Sequence, residues 1–225
     1  MAQTERIIAE RVPVCNKYCV ELRQARGAPV SARHRIVVGI SGASGAIYGV
    51  RLLEVLRELG TCETHLVFSR GAAATISYEL DRPVDEVASL ADYVHDERNL
   101  AAPLASGTFL TDGMVVAPCS MRTLSAVANS ASDNLLVRAA DVHLKERRTL
   151  VLVVRETPLH IGHLRLMTQV ASAGGVILPP VPGFYVRPQT IGDLVDHAVT
   201  KMLDALRVEH DLGKRWAGLP AGGEQ

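Results

Sequence analysis

No charge of either sign predominates in this chain: Lys plus Arg and Asp plus Glu number 24 each. A global field that would draw nucleic acid or an anionic membrane is therefore absent, and basic residues have to be judged place by place. Cysteine is sparse, and Cys15, Cys19, Cys62 and Cys119 form neither a C-x-x-C pair nor a disulfide-dense framework. No stretch approaches the ~20 apolar residues of a membrane span. The first 34 residues lack the apolar centre of a secretory signal. The expectation is a reduced, cytoplasmic protein with neither nucleic acid nor membrane among its partners. At 225 residues, 48% of them hydrophobic, the chain suffices for one well-buried domain and is short for two.

Residues 1–34 carry Arg6, Arg11, Arg23, Arg26 and Arg33, but also Glu5, Glu10 and Glu21, a mixture that argues against a targeting peptide. They read as a loosely ordered arm, and Cys15-x-x-x-Cys19 within it has no nearby His or Cys to complete a metal site. From residue 35 onward, apolar runs alternate with segments of helical period. Strands are expected at 35–40, 64–69, 113–118, 149–155 and 176–178, with a short one near Tyr93. Helices are expected at 46–59, 71–80, 121–129, 133–146, 160–173 and 191–208. Short buried runs separated by helices imply a parallel sheet covered on both faces. That is a three-layer α/β domain, Rossmann- or flavodoxin-like, at residues 35–216, followed by a tail at 217–225.

The fragment VVGISGASGAIYG, Val37 to Gly49, has the strand, tight turn, helix order that aims backbone N–H groups at an anion. Gly39, Gly42, Gly45 and Gly49 do not give G-x-G-x-x-G, and no Lys follows as a phosphate loop of the NTPases requires. Neither a dinucleotide nor an NTP is indicated. The hydroxyls of Ser41 and Ser44 suit a mononucleotide phosphate or a small dianion instead. In such sheets ligands bind beyond the carboxyl ends of the strands, which selects the loops at 41–45, 69–71, 118–123, 155–158 and 179–188. They offer hydroxyls, arginines and the pair Arg155-Glu156, a polar crevice for a phosphorylated ligand with an acid or base inside it. His160-Ile-Gly-His163 spells a nucleotide-binding signature of one class of aminoacyl-tRNA synthetases, but it follows a late strand and no Lys-rich loop accompanies it. As a metal pair it lacks a third ligand. A packing or solvent-facing role at the start of a helix is expected.

Taken together, Ser41-Gly-Ala-Ser-Gly-Ala-Ile-Tyr-Gly49, Pro118-Cys-Ser-Met-Arg-Thr-Leu124, Asn134 through Arg138-Ala-Ala-Asp-Val142, Leu144-Lys-Glu-Arg-Arg148, Arg155-Glu-Thr-Pro158 and Gly183-Phe-Tyr185 resemble the flavin prenyltransferases, the UbiX-like proteins. The resemblance runs from about Arg35 to Trp216. It implies a metal-independent reaction in which a dimethylallyl group from dimethylallyl phosphate joins N5 and C6 of reduced FMN. The product serves UbiD-type decarboxylases, and the enzyme works as a homo-oligomer, commonly a dodecamer. By position, the resemblance assigns Gly42, Ala43, Ser44, Ser69, Ser120, Met121, Arg122, Thr123 and Arg155 to FMN. Tyr185 and Lys201 fall to dimethylallyl phosphate, with Arg138 and Lys145 as basic groups near the phosphate. Ser44 comes close to the reacting centre, and Glu79 and Glu156 are the two acidic residues of the active site.

These residue types suit the chemistry. Departure of phosphate from an allylic carbon leaves negative charge on oxygen, which fixed Lys, Arg and Tyr donors stabilise, while a carboxyl such as Glu156 transfers the proton. Two positions depart from the pattern: Lys201 stands where some relatives have Arg, keeping the charge without the bidentate fork, and Leu100 where some have Trp. Two other functions compete. A flavin-dependent cysteine decarboxylase shares the fold but needs a catalytic His and a Pro-x-Met-Asn motif, where this chain has Arg155-Glu-Thr-Pro158. A non-catalytic flavin-binding protein would have no use for Glu156, Lys145 and Lys201 together.

Overall fold

In the computed structural model, which describes residues 33–213 and 215, the apolar runs pair side by side in one six-stranded sheet, parallel throughout. Its strands are β1 (His34–Ile40), β2 (Cys62–Phe68), β3 (Tyr93–His95), β4 (Gly113–Cys119), β5 (Thr149–Val154) and β6 (Val176–Ile177), in the order β3-β2-β1-β4-β5-β6. That is the Rossmann order, with a reversal between β1 and β4. Helices α1 (Ala46–Leu59), α2 (Arg70–Leu80), α3 (Val84–Ala88), α4 (Met121–Ala128), α5 (Leu135–Lys145), α6 (Ile161–Ser172) and α7 (Ile191–Leu206) connect and cover it. The expected arm up to residue 32, with Cys15 and Cys19, and the expected tail lie outside the described residues. Among the described residues no helix is long and apolar enough to cross a membrane.

Successive side chains of a strand point to opposite faces, and both faces here are apolar. Ile36, Val38 and Ile40 of β1 join Leu52, Leu53 and Leu56 of α1 and Val199, Met202 and Leu203 of α7 in one core layer. Val37 joins Met114 and Val116 of β4 with Leu124 of α4, Leu135, Leu136 and Ala140 of α5 and Val170 of α6 in the other. Each such side chain contributes roughly 1.5–3 kcal/mol by leaving water. α1 lies so close to β4 that a Cβ on Gly49 would fall 2.1 Å from the Ala117 carbonyl oxygen, so only glycine fits there. α1 stops at Gly60, whose φ of 66° suits glycine and whose N–H donates to the Leu56 carbonyl. α7 starts with a capping box, in which Thr190 accepts from the Asp193 N–H and Asp193 accepts from that of Thr190.

Observed boundaries fall within a residue or two of the periodic pattern for the long elements. The pattern missed α3 and the single-turn helices Pro103–Ala105 and Phe184–Val186, which are too short to show a period. It also assigned nothing to the stretch between β3 and β4, and side chains hold that stretch down. Arg35 donates to the Leu110 carbonyl at 2.7 Å and lays its guanidinium over the Phe109 ring. Arg138 and Arg148 reach its carbonyls from the other side, at Ala105 and Phe109.

Beside that stretch, His65 is buried with both ring nitrogens engaged, 2.9 Å from Glu63 and 2.9 Å from His95 Nε2. Arg35 pairs with Glu63, so the carboxylate accepts from His65 Nε2–H and His65 Nδ1 accepts from His95. Burial, with the neighbouring His65 adding to it, pushes His95 down to about 4. Burial likewise pushes His143, set between Thr111 Oγ1 and the Ala139 carbonyl, down to about 4. Both are neutral in the folded protein, whereas the unfolded chain takes up protons below about 6.5. Stability is therefore complete above about 6.5 and declines as pH falls toward about 4. The thermal midpoint at pH 5 should lie several degrees (~5 °C) below that at pH 7, and less so in His143→Gln; equal midpoints for the wild type would contradict this assignment.

Candidate active site

Where the strand order reverses, the loops after β1 and β4 turn to opposite faces and leave a crevice between them. Regular pairing of β1 with β4 ends at Gly39 and Val116, and Ser41 continues the connection. Its N–H and its hydroxyl both donate to the Pro118 carbonyl, at 3.2 and 2.7 Å, and its Oγ accepts from the Ser120 N–H at 2.8 Å. Ser41 is fully buried. The expectation that this hydroxyl faces a phosphate is thus corrected: both its donor and its acceptor are used inside the protein.

The turn that follows is held from three sides. A Cβ on Gly42 would come 2.9 Å from Gly71 Cα, so the loops after β1 and β2 touch backbone to backbone. Gly45 takes a φ of 99° to start α1. The Glu79 carboxylate, from the end of α2, accepts from the N–H groups of Gly45 and Ala46 at 2.8 and 3.1 Å. The glycine-rich turn points to a ligand's anion at the amino end of α1, but the anion found there is the protein's own. Burial works against the charge on Glu79; the Ser44 hydroxyl, the two N–H groups and Arg155 outweigh it and hold the carboxyl below its ordinary value.

On the opposite wall, Ser120 caps α4 by accepting from the Thr123 N–H at 3.2 Å, and its Oγ lies 3.1 Å from Thr123 Oγ1. Met121 is half-buried and Arg122 exposed. Arg155, beyond β5, donates its N–H to the Cys119 carbonyl, and its exposed guanidinium acts on both Glu79 and Tyr48. Glu156 is exposed, and its Oε1 accepts from the Thr157 N–H at 3.0 Å. Ser69 precedes α2 and donates its N–H to the Ile40 carbonyl. These contacts bring the loops that carry Gly42 to Ser44, Ser69, Ser120 to Thr123 and Arg155, with Glu79, to the carboxyl ends of β1, β2, β4 and β5, and Glu156 follows on the last of these loops. Tyr48 escaped the sequence reading: half-buried in the first turn of α1, its phenol is pushed up by burial and drawn back by Arg155. The only available signal was its place one residue before Gly49.

The remaining predicted residues stand on α5, on α7 and in the loop after β6. α5 ends at Lys145, just before the start of β5, so Lys145 sits toward the amino edge of the sheet, opposite the crevice, paired with Glu146. Arg138 donates to the Ala105 carbonyl and to Asp141 of its own helix. Tyr185 packs edge-on against His197 of α7, one turn before the exposed Lys201. Leu206, near the end of α7, abuts Gly113, the first residue of β4, which puts Lys201 roughly 8 Å up the helix from the amino edge. Glu79, by contrast, reaches the turn of its own chain at Gly45 and Ala46. His160 caps α6, its Nδ1 accepting from the Gly162 N–H, and stacks on His163 at 3.6 Å between ring centroids. Among the described residues no group of three or more His, Cys, Asp or Glu side chains converges as a metal site would require.

The Flavoprotein family matches residues 28–202 of this chain. The flavin prenyltransferase UbiX of Escherichia coli (strain K12) is 59% identical over 186 residues, 82% of this chain and 98% of that protein. The structure resembles that of AnUbiX (PadA1) in complex with FMN and dimethylallyl pyrophosphate, with a TM-score of 0.81 at 52% identity, covering 83% of this chain and 99% of that one. It also resembles a dodecameric FMN-dependent UbiX-like decarboxylase from Escherichia coli O157:H7, with a TM-score of 0.80 at 47% identity, covering 82% and 100%. The peptidyl-cysteine decarboxylase EpiD, at 15% identity and a TM-score of 0.55 over 67% of this chain and 83% of its own, shares the fold alone. The chain belongs to the flavin prenyltransferases of the UbiX type.

Proposed function

We propose that this protein joins the dimethylallyl group of dimethylallyl phosphate to reduced FMN in the cytoplasm and hands the prenylated flavin to a UbiD-type decarboxylase. The observation that carries this reading is the crevice at the β1/β4 reversal. One wall is the turn at Gly42, Ala43 and Ser44, fixed at both ends; the other is the capped start of α4, with Arg155 and Glu156 beside it. The donor set suits FMN. Ser69, Ser120, Met121, Arg122, Thr123 and Arg155 offer hydroxyl, backbone and guanidinium groups for a phosphate and a polar ring edge. Reduced FMN, as substrate, supplies the nucleophilic N5 and C6 positions.

The protein's own part is electrostatic. As the allylic carbon–oxygen bond breaks, negative charge gathers on the departing phosphate; Lys145, Arg138, Lys201 and Tyr185 are the groups that offset it, without a metal. Glu156 passes a proton to the phosphate oxygen. Glu79, bound to the start of α1, keeps Ser44 and the turn in place and sets a fixed negative charge at the crevice. Lys145 faces the opposite edge of the sheet, which supports a homo-oligomer, a dodecamer by family, in which neighbouring subunits complete each other's sites.

The direct test is anaerobic incubation with reduced FMN and dimethylallyl phosphate followed by mass measurement of the flavin. A gain of one C5H8 unit is expected, and recovery of only unmodified FMN from folded protein overturns the function. The division of labour has a separate readout. Glu156→Gln should keep FMN binding and lose roughly two or more orders of magnitude in turnover, whereas Lys201→Ala should mainly raise the KM for dimethylallyl phosphate. Near-normal turnover in the first, or loss of FMN binding in the second, reverses these roles. Shared sites predict complementation: Glu156→Gln and Lys145→Ala chains, each nearly inactive alone, should regain about a quarter of wild-type activity per site pair when co-assembled, because one site in four then has both residues intact. Co-assembled chains with no regain would place Lys145 in its own subunit's site.

A further inference from the structure

The Ser41 hydroxyl, on the β1 lip of the β1/β4 reversal, makes two hydrogen bonds to the β4 lip. The β ladder stops at Gly39 and Val116, and β4 then carries a register shift before Cys119. Pro118, within that irregular stretch, has no N–H to donate. Beyond the ladder, Ser41 gives two donors to the Pro118 carbonyl and takes the N–H of Ser120, the residue that caps α4. A single hydroxyl on the β1 side therefore both donates to and accepts from the opposite wall, the start of the β4–α4 loop. The next residue, Gly42, begins the turn, and Ser120 begins the opposite wall. Simultaneous donation and acceptance at this length needs a hydroxyl: Ala supplies neither, and the thiol of Cys only weak bonds.

We propose that Ser41 is a positioning residue for the flavin, setting the separation of the two walls before the ligand arrives so that binding does not have to order them. Ser41 is completely buried, so it acts only through Gly42–Ser44 on one side and Ser120–Thr123 on the other. The inference rests on the proposed function, since it takes FMN as the ligand between those walls.

The test is titration of oxidised FMN by quenching of its fluorescence, with the absorption spectrum of the bound flavin as a second readout, alongside the KM for dimethylallyl phosphate at saturating reduced FMN. Ser41→Ala should weaken FMN binding by about tenfold or more, as loss of its two buried side-chain hydrogen bonds implies. It should also shift the bound-flavin spectrum toward that of free flavin while the KM stays within about twofold. Ser41→Thr, which restores the hydroxyl, should return both readouts to the wild-type values. If Ser41→Ala does not fold, Ser41→Cys keeps the volume and is read the same way. FMN binding by the alanine or cysteine variant within about twofold of wild type, or a threonine variant as weak as alanine, overturns the inference. A wild-type protein that binds no FMN overturns the functional reading itself, a result distinct from either.

Discussion

The constraint from which the rest follows is the reversal of strand order between β1 and β4. Because all strands run parallel, every connection must cross over the sheet, and at one place successive crossovers leave on opposite faces. α1 and α7 cover one face, while α4, α5 and α6 cover the other. The backbone at that boundary has no covering helix, and its polar groups need partners of another kind. Ser41 supplies them on one level and Glu79 on the next. The crevice is rigid because the protein spends its own side chains on these groups and leaves the outward-facing ones to a ligand.

Glu79 shows how much this matters for reading a glycine-rich turn. A helix start attracts negative charge through its unpaired N–H groups and its dipole, and the usual inference is a bound phosphate. Here a carboxylate 33 and 34 positions away in the chain takes that place. The turn becomes a braced wall of the crevice, with Ser44 at its tip. Arg155, beyond β5, balances the charge of Glu79 across the crevice and also touches the electrostatics of Tyr48.

The basic residues tell a complementary story. Arg138 and Arg148 bind carbonyls of the stretch between β3 and β4, which Arg35 holds from the sheet side together with the Glu63–His65–His95 chain. Positive charge thus fastens the surface around α5, where Lys145 stands exposed. Lys145 itself pairs with Glu146 there, toward the amino edge of the sheet.

The alternation of buried runs and helical periods determined the parallel α/β fold, and the glycine and hydroxyl motifs after each strand determined which loops form the crevice, since ligand position in such sheets follows from strand polarity. Both are local properties: Ile36 to Ile40 is legible as a buried strand, and Thr190 with Asp193 as a helix start, from neighbours alone. The use of each side chain was not legible. That the Ser41 oxygen turns inward, that Glu79 closes the start of α1, that Tyr48 joins Arg155, and that Lys145 and Lys201 stand away from the crevice were decided only by the tertiary structure. Each depends on distances between residues tens of positions apart, which the packing of helices on the sheet sets and no periodicity encodes.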